Sequence, residues 1–340
     1  MLLEPIHTDL RDRIFDTDAE SFENLALSIF LYQYSNNELY RQYCNALNIR
    51  PEMVNNLKNI PFLPIRFYKS HPVVCGELND NLLFFESSGT TGSVNSRHYV
   101  KDPALYEQSF LKHFIQRYGK PENYCILGLL PSYLERKHAS LVYMTDRLIK
   151  ESNHPHSGFY LYDFEKLYER LVQNEKENQP TLLIGVSYAL VDFASAFPME
   201  LNNTIVMETG GMKGRRKELT RTELHEILCR QFKLKTIHSE YGMTELLSQA
   251  YSPGNGRFHC PSWMKIMLRA EDDPLDTISP EPNNSYISGA VNIIDLANLY
   301  SCSFIATEDT GKLFADGSFE ITGRLENSDI RGCGLMLPDH

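Results

Sequence analysis

Apolar residues in the first sixty positions recur at spacings of three and four, which is typical of one face of a helix. Two such faces are present, and their members are Phe22, Leu25, Ala26 and Ile29, then Leu39, Tyr40, Tyr43 and Leu47. Pro51 cannot continue a helix, so we expect the second helix to end before it. Residues 60–65 contain two prolines but are too apolar for a linker, and they predict a packed connection.

From residue 82 the pattern changes to short apolar runs that alternate with helical stretches. Strands are predicted at 82–85, 124–130, 159–162, 181–186, 204–207 and 236–239, and helices near 103–118, 138–150, 164–174, 188–196 and 216–232. Continuous apolar strands separated by helices are typical of an α/β layer whose sheet is covered on both faces. After residue 262 the sequence predicts short strands joined by turns, so the C-terminal portion is β-rich.

The charge balance narrows the classes of partner. The chain has 33 Lys and Arg against 44 Asp and Glu, a formal net charge of −11. General binding to nucleic acid or to an anionic membrane needs a basic footprint, so neither is expected, although a local anion site is not excluded. No run of apolar residues is long enough for a membrane span, and the first residues do not form a signal peptide. With seven cysteines, an odd number and none in a metal-binding pair, we expect a cytoplasmic protein with reduced thiols.

The first candidate for chemistry follows the predicted strand at 82–85. Six residues made only of Ser, Thr and Gly stand there: Ser87, Ser88, Gly89, Thr90, Thr91 and Gly92. Such a loop offers backbone N–H groups and hydroxyls that suit phosphate oxygens. It is not a Walker A loop, because no Lys-Ser/Thr pair follows the last glycine. A flexible surface turn would have the same composition, so the residues alone leave both interpretations open.

Two further motifs combine aromatic, hydroxyl and charged groups. The run Tyr241-Gly242-Met243-Thr244-Glu245 follows a predicted strand and suits stacking on a base, contact with a phosphate and coordination of Mg²⁺. The alternative is a capping box at the start of a helix. Asp309 and Gly323-Arg324 could bind a ribose and an anion, and the alternative for them is a pair of hairpin turns.

Taken together, these motifs resemble, in order and spacing, those of the adenylate-forming superfamily, which includes acyl-CoA synthetases, firefly luciferase and the adenylation domains of peptide synthetases. Further stretches resemble more narrowly the acyl-protein synthetase (LuxE-like) family. These stretches are residues 60–64, Ser96-Arg97-His98, Ser140-Leu141-Val142-Tyr143-Met144, Glu208-Thr209-Gly210-Gly211-Met212-Lys213-Gly214-Arg215 and Ile330-Arg331-Gly332-Cys333.

The resemblance implies an α/β fold, namely the N-terminal domain of an adenylate-forming enzyme with helix-covered sheets and a β-rich C-terminal portion. It divides the chain into a helical segment at 1–80 packed on the core, an adenylation core at 81–322, and a hinge with a C-terminal stub at 323–340. The small C-terminal domain of larger relatives, which supplies a catalytic lysine, is expected to be missing, since the sequence stops 16 residues after Arg324.

The resemblance also implies a role for each matching residue. Residues 87–92 would hold the triphosphate of ATP, while Gly210 and Gly211 would approach the adenine and Tyr241, beside Gly242, would stack on it. Thr244 would contact the α-phosphate and Glu245 would ligate Mg²⁺. Asp309 would bind the ribose hydroxyls, with Arg324 beside it. Where relatives often have a lysine after the phosphate loop, this chain has residues 93–98, so Arg97, His98 or the basic run from Lys213 would neutralise charge.

The sequence therefore predicts an AMP-forming ligase that activates a small carboxylic acid, by family resemblance a fatty acid, and transfers the acyl group to a protein thiol. Cys333, or a cysteine of a partner protein, is the expected acceptor. Transfer to CoA or a carrier protein, or a nucleotide-binding module without catalysis, are the alternatives. A serine hydrolase is a further alternative, because Gly185-Val186-Ser187-Tyr188-Ala189 resembles a nucleophile elbow, although Ser187 as a helix N-cap is favoured.

Overall fold

The computed structural model describes residues 4–79, 81–87, 94–131, 138–210, 219–271, 273, 275–278 and 284–325. The chain forms two compact units that are interleaved in sequence. The first unit comprises Met1–Leu83, Ser96–Asp102 and Cys260–His340, and the second comprises Phe84–Asn95 and Pro103–His259. The sequence-based division at 1–80, 81–322 and 323–340 stays a prediction.

Helices and strands of the described residues follow the predicted α/β pattern. The helices are α1 (Glu4–Arg13), α2 (Phe22–Asn36), α3 (Glu38–Ala46), α4 (Phe67–Ser70), α5 (Pro103–Tyr118), α6 (Ser140–Ser152), α7 (Phe164–Glu177), α8 (Ser187–Ala196) and α9 (Arg221–Phe232). The strands are β1 (Leu63–Pro64), β2 (Leu83–Glu86), β3 (Arg97–Val100), β4 (Cys125–Leu129), β5 (Gly158–Phe159), β6 (Thr181–Val186), β7 (Thr204–Thr209), β8 (His238–Tyr241), β9 (Ala250–Ser252), β10 (Met264–Arg269), β11 (Thr277–Ile278), β12 (Tyr286–Asp295), β13 (Phe304–Phe314) and β14 (Phe319–Arg324).

The predicted elements of the second unit are present, with shifts at some of their ends. β6 and α5 have the predicted bounds, whereas β7 extends two residues further than predicted and β8 is displaced by two. α9 begins at Arg221 rather than near 216, because the Thr220 hydroxyl accepts the N–H of Glu223 and the Glu223 carboxylate accepts the N–H of Thr220. This capping box fixes the first turn of the helix. Residues 216–218 lie outside the described part of the chain.

The sheet of the second unit has the order β5-β4-β6-β7-β8-β9, and all its pairs are parallel except that of β8 with β9. Parallel neighbours need a crossover connection, and α8 and α9 provide those from β6 to β7 and from β7 to β8. Apolar residues of α7, α8 and α9 pack into one buried cluster with the strands; they include Leu167, Leu171, Leu190, Phe193, Leu224, Leu228 and Phe232. The carboxyl ends of β4, β6, β7 and β8 consequently share one edge of the sheet.

The first unit contains a mainly antiparallel sheet in the order β1-β13-β12-β10-β11. β14 lies off this path and also pairs with β13. The predicted packed connection at 60–65 contains β1, which pairs with β13 in parallel through Leu63 and Pro64. Because proline has no N–H, it is tolerated only where a strand has a free edge, and β1 lies at the edge of this sheet.

One buried glutamine ties the N-terminal helices to this sheet. The Gln33 side chain of α2 donates to the carbonyl oxygens of Asn298 and Leu299 at 2.9 and 3.0 Å, and it accepts the backbone N–H of Ser303 at 2.9 Å. The ring of Phe30, on the same helix, packs edge-on against Phe304. Both the polar and the apolar groups of α2 are thus satisfied by the segment that leads into β13.

No helix in the described ranges combines the length and the apolar character that crossing a membrane requires.

A carboxylic acid is buried in β8 of the second unit. Glu240 has a relative exposure of 9%, and the hydroxyl of Thr209, its partner across the parallel ladder, donates to its carboxylate. Burial is the main cause that raises the pKa of Glu240 to about 7, and the negative charge of Glu208 adds to this effect, while the hydrogen bond from Thr209 opposes it. The folded protein therefore holds this proton more tightly than the unfolded chain, whose glutamate pKa is near 4.5.

Stability should accordingly fall as the pH rises through the interval between these two pKa values. Between about pH 5.5 and about pH 8.5 the Glu240 contribution should lower the free energy of unfolding by about 2 kcal/mol. Glu240→Gln keeps a neutral side chain at every pH, so the variant should gain stability relative to wild type as the pH rises. Urea unfolding of both proteins across this range would measure the difference, and a constant difference would contradict the prediction.

Candidate functional site

The candidate site of the second unit lies at the carboxyl edge of its parallel sheet. Ser187, Gly210 and Gly242 directly follow β6, β7 and β8, three neighbouring strands that point the same way. In open α/β sheets, ligands bind in the crevice outside the carboxyl ends of the strands. The fold therefore places the predicted adenine contacts, Gly210 and Tyr241, on adjacent strand ends.

Gly210 directly follows β7 and has a backbone conformation that favours glycine. Its φ is +71°, in the left-handed region where a side chain is strained. Its carbonyl oxygen accepts a hydrogen bond of 2.6 Å from the Ser187 hydroxyl. The backbone at Gly210 is thus held by a side chain from α8, the crossover that follows β6.

Ser187 does not have the environment of a nucleophile or the predicted N-cap position. It is the first residue of α8, while Val186 occupies the N-cap. The N-cap prediction for Ser187 is therefore wrong, because the chain enters the helix one residue earlier than expected. The hydroxyl donates to the Gly210 carbonyl and, at 3.3 Å, to the Glu208 carboxylate, so its proton is directed at structural acceptors.

Tyr241 ends β8 and is 8% exposed, and its ring packs against Phe258 with the centroids 5.7 Å apart. Gly242 follows it at an exposed position. A Cβ atom at Gly242 would lie too close to the carboxylate of Glu240, so a side chain at this position would require that carboxylate to shift.

Thr244 and Glu245 lie in the turn that connects β8 to β9. Glu245 is buried, Thr244 is half-buried, and the N–H of Leu246 closes the turn on the Met243 carbonyl at 3.2 Å. No helix begins here, so the capping-box alternative for this motif is wrong. Hydroxyl and carboxylate oxygens therefore stand close together in sequence at the same sheet edge as Gly210.

Ser87 is half-buried directly after β2. The other predicted phosphate-loop residues, Ser88, Gly89, Thr90, Thr91 and Gly92, lie outside the described residues, and so do Gly211, the basic run from Lys213, and Cys333. Their predicted roles stay predictions.

Asp309 and Arg324 lie in the first unit, opposite each other on β13 and β14. The Arg324 Nε and Asp309 Oδ1 atoms are 3.3 Å apart; the Asp309 side chain is 9% exposed and that of Arg324 is 66% exposed. Both residues are within strands, so the alternative of two hairpin turns is wrong. Because the Arg324 side chain is largely exposed, its guanidinium is accessible to an anion from solvent.

His98 is fully buried in the first unit. Its Nε2 atom is 3.0 Å from the hydroxyl of Ser301, and its ring packs edge-on against Tyr68. The predicted catalytic role of His98 stays a prediction. Arg97, the other predicted neutralising group in this stretch, is exposed at the start of β3.

Glu208 has no role predicted from the sequence, although its carboxylate is the centre of a polar cluster. It is 5% exposed on β7, with the Nε atom of Arg221 at 3.4 Å and Nε2 of His225 at 3.6 Å, both from α9. Burial alone raises the pKa of Glu208, but the hydrogen bonds from His225 and Ser239 and the charge of Arg221 outweigh it and leave the pKa below its ordinary value. Its position two residues before Gly210 was the available signal.

Within the ranges that the structure describes, no three His, Cys, Asp or Glu side chains converge in a way that could hold a metal ion.

Comparisons with known proteins find relatives along most of the chain. No protein-family model matches the chain. It is 23% identical to a long-chain-fatty-acid–luciferin-component ligase of Vibrio harveyi, over 92% of this chain and 86% of the relative. It is 22% identical to the ligase of the same name from Aliivibrio fischeri, over 95% of this chain and 89% of that one.

Among solved structures, ATP-bound MatB from Rhodopseudomonas palustris matches 73% of this chain with a TM-score of 0.53 and 15% identity. The chain spans about half of the length of that structure, 49%. The predicted fold class is confirmed. The protein has the α/β fold of the N-terminal domain of the adenylate-forming enzymes, and among them it resembles the acyl-protein synthetases along nearly its whole length.

Proposed function

We propose that this protein activates a long-chain fatty acid with ATP, releases pyrophosphate, and passes the acyl group from the resulting acyl-adenylate to a protein thiol. The observation that carries the proposal is the position of two groups of residues at the ends of adjacent parallel strands, β7 and β8. Gly210, with its positive φ, lies at the same sheet edge as Tyr241, the last residue of β8, and the turn that contains Thr244 and Glu245. Both curated relatives are named as ligases of long-chain fatty acids, and the similar MatB structure is described as ATP-bound.

The residues at this edge suit a nucleotide. Gly210 lacks a side chain that would keep an adenine away from the backbone, and Tyr241 offers an aromatic ring for stacking. The Thr244 hydroxyl can donate to a phosphate oxygen. The roles predicted from the sequence for Asp309 and Arg324, which belong to the first unit, stay predictions.

The oxygens of Thr244 and Glu245 fit Mg²⁺, which prefers hard oxygen ligands and is often held by one or two carboxylates together with substrate phosphates. We assign the Glu245 carboxylate as its protein ligand. When bound, the ion would neutralise phosphate charge.

The first reaction exchanges one bond at phosphorus. A carboxylate oxygen of the fatty acid attacks the α-phosphorus of ATP, the bond to the bridging oxygen breaks, and pyrophosphate leaves with the electron pair. The protein contributes mainly by holding the two anionic substrates together and by offsetting their charge.

The second reaction transfers the acyl group. A thiolate attacks the acyl carbon of the mixed anhydride, the carbon–oxygen bond breaks, and AMP leaves. The thiol proton passes to solvent. Cys333, between two glycines, is the candidate thiol within this chain, and a cysteine of a cytoplasmic partner protein is the other.

Pyrophosphate exchange tests the proposed activation directly. Labelled pyrophosphate should enter ATP in the presence of hexadecanoate and Mg²⁺, and acetate should support far less exchange because it lacks the apolar chain. The absence of exchange with any long-chain acid would contradict the proposed function. Formation of a stable acyl-CoA when CoA is added would instead favour an acyl-CoA ligase.

Glu245→Gln should leave the fold intact and slow the exchange by about 10²-fold at saturating substrates, because a neutral amide cannot offset the charge of a metal-bound phosphate site as a carboxylate does. The rate should fall least at high Mg²⁺ concentration. Glu226→Gln, an exposed change on α9, is the matched control and should keep the wild-type rate. An unchanged rate in Glu245→Gln would remove Glu245 from the site.

Incubation with ATP and radiolabelled hexadecanoate should label the protein through a thioester at Cys333. Neutral hydroxylamine should release the label, since it cleaves thioesters. Cys333→Ser should lose the label and retain pyrophosphate exchange. Label that persists in Cys333→Ser assigns the acceptor to another cysteine of the chain, and a wild-type protein that exchanges pyrophosphate without labelling assigns it to a separate molecule.

A further inference from the structure

We propose that Glu208 is a positioning residue that fixes both adenine contacts of the nucleotide site, Gly210 through Ser187 and Tyr241 through Arg221 and Phe258. The inference rests on the proposed function for the identity of the ligand. It adds a residue that contacts neither substrate in the scheme above. Every group that it uses belongs to the second unit.

The first connection runs from Glu208 through Ser187 to the carbonyl of Gly210. The Ser187 hydroxyl has one hydrogen, which two acceptors share: the Gly210 carbonyl at 2.6 Å and the Glu208 Oε2 atom at 3.3 Å. The carboxylate therefore fixes the rotamer in which Ser187 reaches the Gly210 carbonyl. Loss of its charge would free Ser187 to rotate and would loosen a backbone conformation that has a positive φ.

The second connection runs from Glu208 to Tyr241. The carboxylate holds the Arg221 guanidinium at 3.4 Å, and this guanidinium lies 4.9 Å from the centre of the Phe258 ring. Phe258 is fully buried and packs against Tyr241 at 5.7 Å. An ion pair, a cation–π contact and a ring contact thus form a continuous path to the tyrosine.

Burial of the Glu208 carboxylate costs free energy. This cost argues that the cluster of Glu208, Arg221 and His225 has a function. A carboxylate that is 5% exposed pays a desolvation penalty that only close partners can offset. Arg221 and His225 supply these partners from one face of α9, four residues apart. The charge is thereby held at a fixed point directly behind the sheet edge.

Glu175 provides a matched control in the same unit. Its carboxylate accepts the N–H groups of Asn202 and Asn203 at 2.9 and 3.0 Å and the Thr204 hydroxyl at 2.6 Å. It therefore supports the start of β7, whereas Glu208 lies near the end of the same strand. A merely structural effect of losing a carboxylate should appear in both variants, and an effect on the nucleotide only in Glu208→Gln.

The experiment compares Glu208→Gln, Glu175→Gln and wild type in hexadecanoate-dependent pyrophosphate exchange. We expect Glu208→Gln to raise the KM for ATP by about 10-fold, in line with ordinary coupling between neighbouring side chains, and to leave kcat and the KM for hexadecanoate within about 2-fold. Glu175→Gln should lower the thermal midpoint without raising the KM for ATP. Arg221→Met should raise this KM as well, and the double variant Glu208→Gln/Arg221→Met should add less than the sum of the two.

An unchanged KM for ATP in Glu208→Gln, or an equal rise in Glu175→Gln, would overturn the inference. If Glu208→Gln does not fold, Ser187→Ala and Phe258→Leu each remove one connection and should each raise the KM for ATP by about 3-fold; no rise in either would also overturn it. Calorimetric binding of ATP without fatty acid separates the two proposals. Wild type that binds ATP without exchange contradicts the proposed function, while weaker ATP binding by Glu208→Gln still supports the inference.

Discussion

Parallel pairing of β6, β7 and β8 is the constraint on which the candidate site depends. Parallel strands cannot be joined by tight turns, so β6 and β7 are each followed by a crossover, here α8 and α9. The crossovers begin at the same sheet edge, and so do the turns that lead into them. Ser187, Gly210 and Tyr241 are distant in sequence but meet at this edge because of the ladder. The strand order therefore determines which functional groups meet at this edge, and each strand end contributes one or two of them.

Two carboxylic acids show how strongly local surroundings decide the behaviour of one residue type. Glu208 on β7 and Glu240 on β8 are both buried, yet the first has Arg221 and His225 beside it and the second has a hydroxyl. The pKa of Glu208 is lowered, whereas burial raises that of Glu240 to about 7. Near neutral pH the sheet thus carries one fixed negative charge and one carboxyl that is partly protonated.

The sequence contained enough information to predict the α/β sheet of the second unit and where its most apolar strands end. Apolar runs such as 181–186 are long and uninterrupted. It was less accurate where polar residues are buried. The predicted end of β7 at 207 stopped short because Glu208 and Thr209 continue the strand. The polar cluster around Glu208 was missed for a related reason: Arg221 and His225 are on α9, and only the fold brings them together with Glu208. His98 was predicted to neutralise phosphate charge because of its position after the glycine-rich loop, and that local pattern does not contain its contact with Ser301, 203 residues away.

The hydrogen bonds of Gln33 have a consequence for the order in which the chain can fold during synthesis. Their partners, Asn298, Leu299 and Ser303, are made more than 260 residues after Gln33. At 5–20 residues per second, the interval on a ribosome is roughly 13–55 s. Residues 103–259 are contiguous and can assemble their sheet within that interval. The part of the apolar face of α2 that packs on Phe304 of β13, including Phe30, stays uncovered until β13 emerges, so nascent chains of this protein expose apolar surface of an early helix until that strand has been made.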